Sequence, residues 1–380
     1  MQKIFNFFKF LLFIVFFASM PINAYSQEAA GGRALSEEAK NDLKVYNENR
    51  KELGMGLFYN FSEMYKESFP KFEELYAKGD PVASYYYAEC LYNGWGVFPR
   101  NEAKANEIFE QVLPRIRRLV FAGDGLISYT MYQAYLSGYG VPRDRTKSMF
   151  YLEASIKKGY GMAIFAKAKM QEETGQFQQA FNTYLQSSQA GNPEANFRLG
   201  LIYETGEGHV GQDYTQAVIY YERAAKYGHI KAMANLGNLY YNGLGVEQNL
   251  PEALRYFQKA AEKESPAAIN SLGVMYLRGE GGLPKDLKTA FLYFSRAAYY
   301  GDETAYNNLG NMYFNGIYVK EDKAKAFSYY LKAAEKENPE AMYKVALMYE
   351  KGVGTTANQR RADAWYKLIE KKGYDLNDFK

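Results

Sequence analysis

Over residues 191–373, apolar and polar positions follow a pattern that returns about every 36 residues. The first half of each unit places apolar residues at offsets 0, 4, 7 and 8 from an alanine, as in Ala232, Leu236, Leu239 and Tyr240. Those offsets fall on one stripe of a helix. The second half uses offsets 0, 3, 4, 7 and 8 from another alanine: Ala253, Tyr256, Phe257, Ala260 and Ala261. That is again a single helical face. Gly243 should end the first helix, because glycine takes up the left-handed conformation that closes one. Asn249, followed by Pro251 and Glu252, reads as a capping side chain ahead of a tolerated first turn. Each unit is predicted to be a helical hairpin.

The leading alanines are Ala195, Ala232, Ala268, Ala305 and Ala341, spaced by 37, 36, 37 and 36 residues. A second series, Ala217, Ala253, Ala290, Ala326 and Ala362, keeps the same period. Five consecutive copies identify a repeat architecture. A glycine also recurs inside the first helix, as Gly200, Gly237, Gly273 and Gly310. It carries a penalty of about 1 kcal/mol against alanine, so its recurrence predicts close packing where no side chain fits. Tyr203, Tyr240, Tyr276, Tyr313 and Tyr349 follow one turn later, a repeated slot in a chain with 37 tyrosines and 17% aromatic residues.

The stretch "AMANLGNLYYNGLGV…EALRYFQKAAEKE" (232–264) resembles the Sel-1-like repeat family, relatives of the tetratricopeptide repeats. The "GxGV" loop and the 36-residue period carry the resemblance, which covers about residues 79–373. It implies an all-α fold, an α-solenoid (right-handed superhelix) of stacked hairpins. It also implies work as a scaffold or adaptor in protein complexes, in bacteria often exported and tied to envelope processes or host contact.

The copies differ. Two degenerate repeats are expected over 79–158, a tetratricopeptide-like short repeat over 159–190, and five Sel-1-like repeats over 191–373, the last acting as a cap. Residues 374–380 form a tail. Residues 27–78 read as an N-terminal helical cap of two helices, around 35–53 and 55–78. In the seventh copy Tyr318 replaces the second loop glycine, and in the eighth Ala346 replaces the helix glycine.

The N-terminus, "MQKIFNFFKFLLFIVFFASMPINAYSQ", has the form of a secretory signal peptide. Lys3 and Lys9 precede an apolar run that is short for a bilayer span, and Ala24-Tyr25-Ser26 forms a small-x-small cleavage site. Cleavage of 1–26 removes two lysines and no acids, taking the net charge from +3 to +1. The expectation is an exported protein, periplasmic or secreted, with no membrane span after cleavage. Near-neutral charge excludes a nucleic-acid binder of the usual basic kind. Cys90 is the single cysteine, so no disulfide forms within the chain.

Candidate chemistry does not hold together. "GEGHVG" (206–211) matches a dinucleotide-binding fingerprint but lies between helices, without the strand that motif needs. "SIKK" (155–158) and "SFPK" (68–71) match the S-x-x-K of penicillin-recognising enzymes, yet Ser155 occupies the buried alanine pair and no KTG partner exists. His209 and His229 have no ligand-spaced neighbours. Cys90 falls on a core offset. No catalytic, cofactor or metal site is expected. One alternative comes from cysteine-rich members of the family, described as penicillin-binding proteins or weak β-lactamases, but this chain lacks their paired cysteines.

The expected activity is binding of a protein or peptide. At 100° per residue, offsets 2, 6 and 9 of each first helix lie opposite the core stripe. In related tetratricopeptide arrays that face lines the concave groove. Here it carries Asn238, Asn270, Asn307 and Asn311 beside Tyr241 and Phe314. Amides can pair with an extended backbone while the rings supply apolar contact, which makes these six the candidate partner-binding residues.

Overall fold

A computed structural model describes residues 35–61, 65–95 and 99–379. The segment read as a signal peptide lies outside them. The described residues are α-helical, with short loops and two 3-10 turns, and they divide into two compact units at Leu199/Gly200.

The first unit contains α1 (Glu37–Phe61) and α2 (Tyr65–Ala77), α3 (Pro81–Asn93) and α4 (Glu102–Leu119), α5 (Gly125–Ser137) and α6 (Arg145–Lys157), and α7 (Gly161–Glu173) and α8 (Phe177–Gln189). The division falls within α9 (Pro193–Thr205). The second unit continues with α10 (Tyr214–Lys226), α11 (Ile230–Asn242) and α12 (Leu250–Ala261), and α13 (Pro266–Arg278) and α14 (Leu287–Tyr299). It ends with α15 (Glu303–Asn315) and α16 (Lys323–Glu335), and α17 (Pro339–Lys351) and α18 (Gln359–Lys371). In both units consecutive helices pack as antiparallel hairpins, the α-solenoid arrangement.

Local chemistry sets the helix ends. Asp213, Asn249, Asp286, Asp322 and Asn358 cap the second helices, each accepting a backbone N–H from the first turn. Gly243, Gly279, Gly316 and Gly352 close first helices in the left-handed conformation. The second loop glycine meets a different demand. A Cβ on Gly245 would lie 2.3 Å from the carbonyl carbon of Tyr214, so the loop rests directly on the start of α10. Tyr318 keeps the same left-handed geometry at φ 65° and lays its ring against Phe291, centroids 5.5 Å apart.

The recurring tyrosines fill one slot. Rings at offset 8 of the first helix and offset 3 of the second stack nearly parallel: Tyr135 on Tyr151, Tyr203 on Tyr220, Tyr240 on Tyr256, Tyr276 on Tyr293 and Tyr313 on Tyr329. Their centroids are 5.4–5.8 Å apart.

The helix glycine has a specific partner as well. Ideal Cβ atoms on Gly200, Gly237, Gly273 and Gly310 would come within 2.5–2.7 Å of the rings of Tyr221, Phe257, Phe294 and Tyr330. The space is taken by an aromatic ring of the following helix rather than by backbone. The same pairing corrects the sequence reading near the N-terminus. A helix break was expected between the two helices, at residue 54, but α1 runs on to Phe61, and an ideal Cβ on Gly56 within it would lie 2.7 Å from the Phe72 ring. The α1–α2 pair therefore has the packing of a repeat hairpin.

Candidate functional site

The aromatic residue at offset 4 of each second helix crosses its hairpin toward the face of the first helices. Where it is a tyrosine, its hydroxyl arrives on that face. Tyr184 donates to Glu172 (2.5 Å), Tyr221 to Glu204, and Tyr366 to Glu350 (2.8 Å). Each acceptor stands at offset 9 of the first helix in the same hairpin. Where offset 9 is Tyr241 or Leu277, the crossing ring is Phe257 or Phe294. Tyr330, opposite Phe314, donates instead to Asn311 Oδ1 at 2.8 Å. Burial raises the Tyr330 phenol above its usual range, and the charge of Glu340 adds to this.

These hydroxyls join polar clusters that tie neighbouring first helices together. In the first unit Arg198 pairs with Glu172; burial opposes ionisation of that carboxyl, yet Arg198 and Tyr184 together hold it below its usual range. In the second unit Asn235 donates to the Tyr221 hydroxyl at 3.0 Å. Asn308 donates to Asn270 Oδ1 at 2.8 Å, linking α15 to α13. Asn307 donates to Glu340 at 2.8 Å, and Lys344 donates to Asn311 (2.7 Å) and Asn307 (3.2 Å), linking α17 to α15.

This geometry corrects part of the expected site. Asn270 and Asn307 are only 8% and 2% exposed, so neither projects from a free face. Offset 2 abuts the next first helix: Asn270 accepts from Asn308, and Asn307 bonds to Glu340 and Lys344. Offsets 6 and 9 remain open. Asn238 is exposed, and its side chain makes no hydrogen bond among the described residues. Asn311, Tyr241 and Phe314 are half-buried. Tyr241 donates to Glu280 (2.5 Å) and accepts from Arg278 (2.8 Å). The Lys323 ammonium sits 3.6 Å from the Phe314 ring centroid. Across α11, α13 and α15 this leaves two parallel rows, Asn238–Val274–Asn311 at offset 6 and Tyr241–Leu277–Phe314 at offset 9.

The sequence reading passed over Asn308 and Lys344. Their common position, offset 3, was the available signal, since Arg198 and Asn235 occupy it in earlier copies.

The remaining motifs are structural. Ser155 is fully buried and donates to the Gly125 carbonyl at 2.6 Å, while Lys158 donates to the carbonyls of Val120 and Gly123. Ser68 is also fully buried and donates to the Tyr65 carbonyl, and Lys71 pairs with Glu52 at 2.9 Å. Neither S-x-x-K serine reaches solvent. His229 caps α11, its Nδ1 accepting the Ala232 N–H at 3.1 Å, and His209 lies exposed in a left-handed loop. Cys90 is buried, which pushes its thiol up to about 12. Among the described residues no group of three potential ligands could hold a metal ion, and no helix is long and apolar enough to cross a membrane.

The repeat geometry has direct counterparts. A sequence model of the family described as Sel1 repeat matches residues 81–111, 133–160, 193–229, 230–265, 266–302, 304–338 and 339–374. The chain belongs to the Sel1 repeat family. The Sel1 matches skip 161–192, the α7–α8 hairpin, whose turn carries a single glycine, Gly175.

Similar proteins include the ERAD-associated E3 ubiquitin-protein ligase component HRD3B of Arabidopsis thaliana, 36% identical over 32% of this chain and 19% of that protein. Chitin synthase regulatory factor 2 of Schizosaccharomyces pombe is 26% identical over 62% of this chain and 50% of that protein. The chain thus spans half or less of these curated relatives. Among solved structures, the protective antigen c5321 of uropathogenic Escherichia coli superposes with a TM-score of 0.55. That match has 24% identity and covers 80% of this chain and 64% of the other, and it supports the Sel1 fold.

Proposed function

We propose that this Sel1 repeat protein is an exported, non-catalytic scaffold that binds an extended segment of a protein partner. The binding surface is the first-helix face of α11, α13 and α15. The observation that carries this reading is the pair of open rows on that face. An amide row, Asn238 with its whole amide and Asn311 with its Nδ2 (its Oδ1 being taken by Tyr330 and Lys344), runs beside an apolar row (Tyr241, Leu277, Phe314). An extended segment presents backbone groups and side chains alternately, so one row can take the backbone and the other the apolar side chains. Two relatives are by name a component of a ubiquitin-protein ligase and a regulatory factor of chitin synthase, roles that call for contact with other proteins. Export rests on the leader-like N-terminal segment, and periplasmic or secreted residence follows from it.

The test is site-directed photocrosslinking in the producing cell, with the crosslinker at Asn238 or Phe314 and a control at exposed Ser328 on α16. A discrete protein adduct from the first two positions, absent from the control, supports the scaffold. Equal adducts from all three positions, or none, would overturn it. Cell fractionation with N-terminal sequencing tests export separately, the expected first residue being Gln27.

A further inference from the structure

Offset 9 of successive first helices in the second unit reads Glu204, Tyr241, Leu277, Phe314 and Glu350. An acid thus stands at each end of three apolar side chains. Side-chain hydrogen bonds join these first helices in series, from α9 through Tyr221 to α11, from α11 to α13, and on to α15 and α17. Helices in contact lie about 8–10 Å apart, so equivalent positions along the row recur at about that interval.

An interval of that size selects among backbone conformations. A β-strand advances about 3.3 Å per residue and turns successive side chains to opposite faces. Its residues i and i+2 fall short of the interval, and i and i+3 point away from each other. An α-helix brings i and i+7 to about 10.5 Å, but it bonds its own backbone internally. That would leave the Asn238 amide and the Asn311 Nδ2 with nothing to pair with. Polyproline II advances about 3.1 Å per residue with three residues per turn, so i, i+3 and i+6 share one face about 9.3 Å apart. Its carbonyls make no internal hydrogen bonds, and the amide N–H donors of the offset 6 row are what such carbonyls accept from.

The ends of the row carry a second, independent signal. Glu204 and Glu350 each accept one tyrosine hydroxyl and form no ion pair among the described residues. A carboxylate has room for further donors. The cations beside the row are already matched: Arg278 with Glu280 (3.9 Å), Lys323 with Glu321 (3.3 Å) and Lys344 with Glu340 (2.5 Å). Lys351 follows Glu350 in the chain, and consecutive residues of a helix do not face each other. The row is therefore acidic at both ends and apolar between them, and its complement is a segment with basic ends. We infer that this face takes a proline-rich segment in the polyproline II conformation, with an apolar side chain at every third residue and a Lys or Arg one step beyond each end. This inference rests on the scaffold reading above. Leu277 meets the central apolar side chain, Tyr241 and Phe314 the two beside it, and Glu204 and Glu350 the basic ends. At three residues per interval the segment is about 13 residues long.

The test is fluorescence anisotropy of the full chain with labelled synthetic peptides. The first, KPPLPPLPPLPPK, has the inferred period and ends. The second, KPLPLPLPPPPPK, has the same composition with the leucines regrouped. The third, EPPLPPLPPLPPE, reverses the ends, and the fourth is a helix-forming peptide with lysine ends and leucines seven residues apart. Saturable binding of the first is expected, with the second and third weaker by about tenfold or more. Combining Glu204→Gln with Glu350→Gln should remove the preference for lysine over glutamate ends. The helical signal should persist, because glutamine keeps an oxygen for the Tyr221 and Tyr366 hydroxyls. No binding of the first peptide, equal binding of the regrouped one, tighter binding of the helical one, or a lysine preference that survives the double variant would each overturn the inference. Any of these results leaves the scaffold standing if Asn238 and Phe314 still yield a discrete crosslinked adduct in cells. Loss of that adduct as well overturns both.

Discussion

An ideal Cβ on Gly237 would lie 2.6 Å from Cε1 of Phe257, so the ring of α12 occupies the volume that any side chain at 237 requires. The ring stands over the middle of the preceding helix and is itself buried, at 1% exposure. Gly237→Ala is therefore expected to lower the melting temperature. The overpacking penalty of about 1–3 kcal/mol exceeds the gain of about 1 kcal/mol that alanine brings to an unhindered helix. Pairing it with Phe257→Leu should recover part of the loss, a non-additivity that a double-mutant cycle in thermal melts would register. A higher melting temperature for Gly237→Ala alone would show that the ring yields freely.

The repeat frame was legible because its signals are local and recur. The alanine series, the loop glycines and the Asp or Asn caps each follow from helix geometry. What sequence could not supply was the neighbour. Offset 2 looked exposed on an isolated helical wheel, yet Asn270 and Asn307 are covered by Asn308, Glu340 and Lys344 from the next first helix. The break expected at residue 54 failed for a related reason. Gly56 lies inside α1 as a packing site for Phe72. A wheel shows which face is apolar, but only the stack shows which polar positions the next copy consumes.

The crossing tyrosines make a second prediction. Tyr221 is fully buried and donates to Glu204, whereas Tyr366 reaches a Glu350 that is exposed. A hydrogen bond to a charged group contributes about 1.5–3 kcal/mol when shielded and much less where water competes. Tyr221→Phe should lower stability clearly and Tyr366→Phe barely, as read from denaturant midpoints at constant m-value. Equal effects would mean the Glu204 bond is no better shielded than the Glu350 one.

Stability of the first unit should depend on pH through two raised acids. Burial lifts Glu89 from 4.5 to about 7, and burial lifts Asp80 from 3.8 to about 6 despite the N–H groups of Ala83 and Val82 that favour its charge. Their folded values lie above their unfolded ones, so the folded state holds these protons more tightly. As pH rises from about 4.5 to about 7, the unfolded chain releases them first and stability falls. The Glu89 shift alone corresponds to roughly 3 kcal/mol. Wild-type protein should be more stable at about pH 5 than at about pH 7.5 by this contribution, and Glu89→Gln should flatten the difference. A pH profile unchanged by Glu89→Gln would place the titration elsewhere.

The last prediction separates the amides that hold the array together from those left for a partner. Asn307 is buried, donating to Glu340 and accepting from Lys344. Asn307→Ala strips both bonds from a buried position, while Lys344 and Glu340 keep their own ion pair at 2.5 Å, so the loss of the tie between α15 and α17 should lower the second unit's melting temperature. Asn270→Ala should do the same more mildly, since it breaks the one bond from Asn308. Asn238 has no such duty, and Phe314 contributes part of an open apolar row. Asn238→Ala combined with Phe314→Ser should leave the melting temperature within about 1 kcal/mol of wild type, the ordinary range for surface changes. The same pair should abolish the crosslinked adduct. The two sets of variants should thus diverge, one moving stability at constant binding and the other binding at constant stability. If Asn238→Ala with Phe314→Ser binds as well as wild type, the partner does not lie on the open rows of α11 and α15.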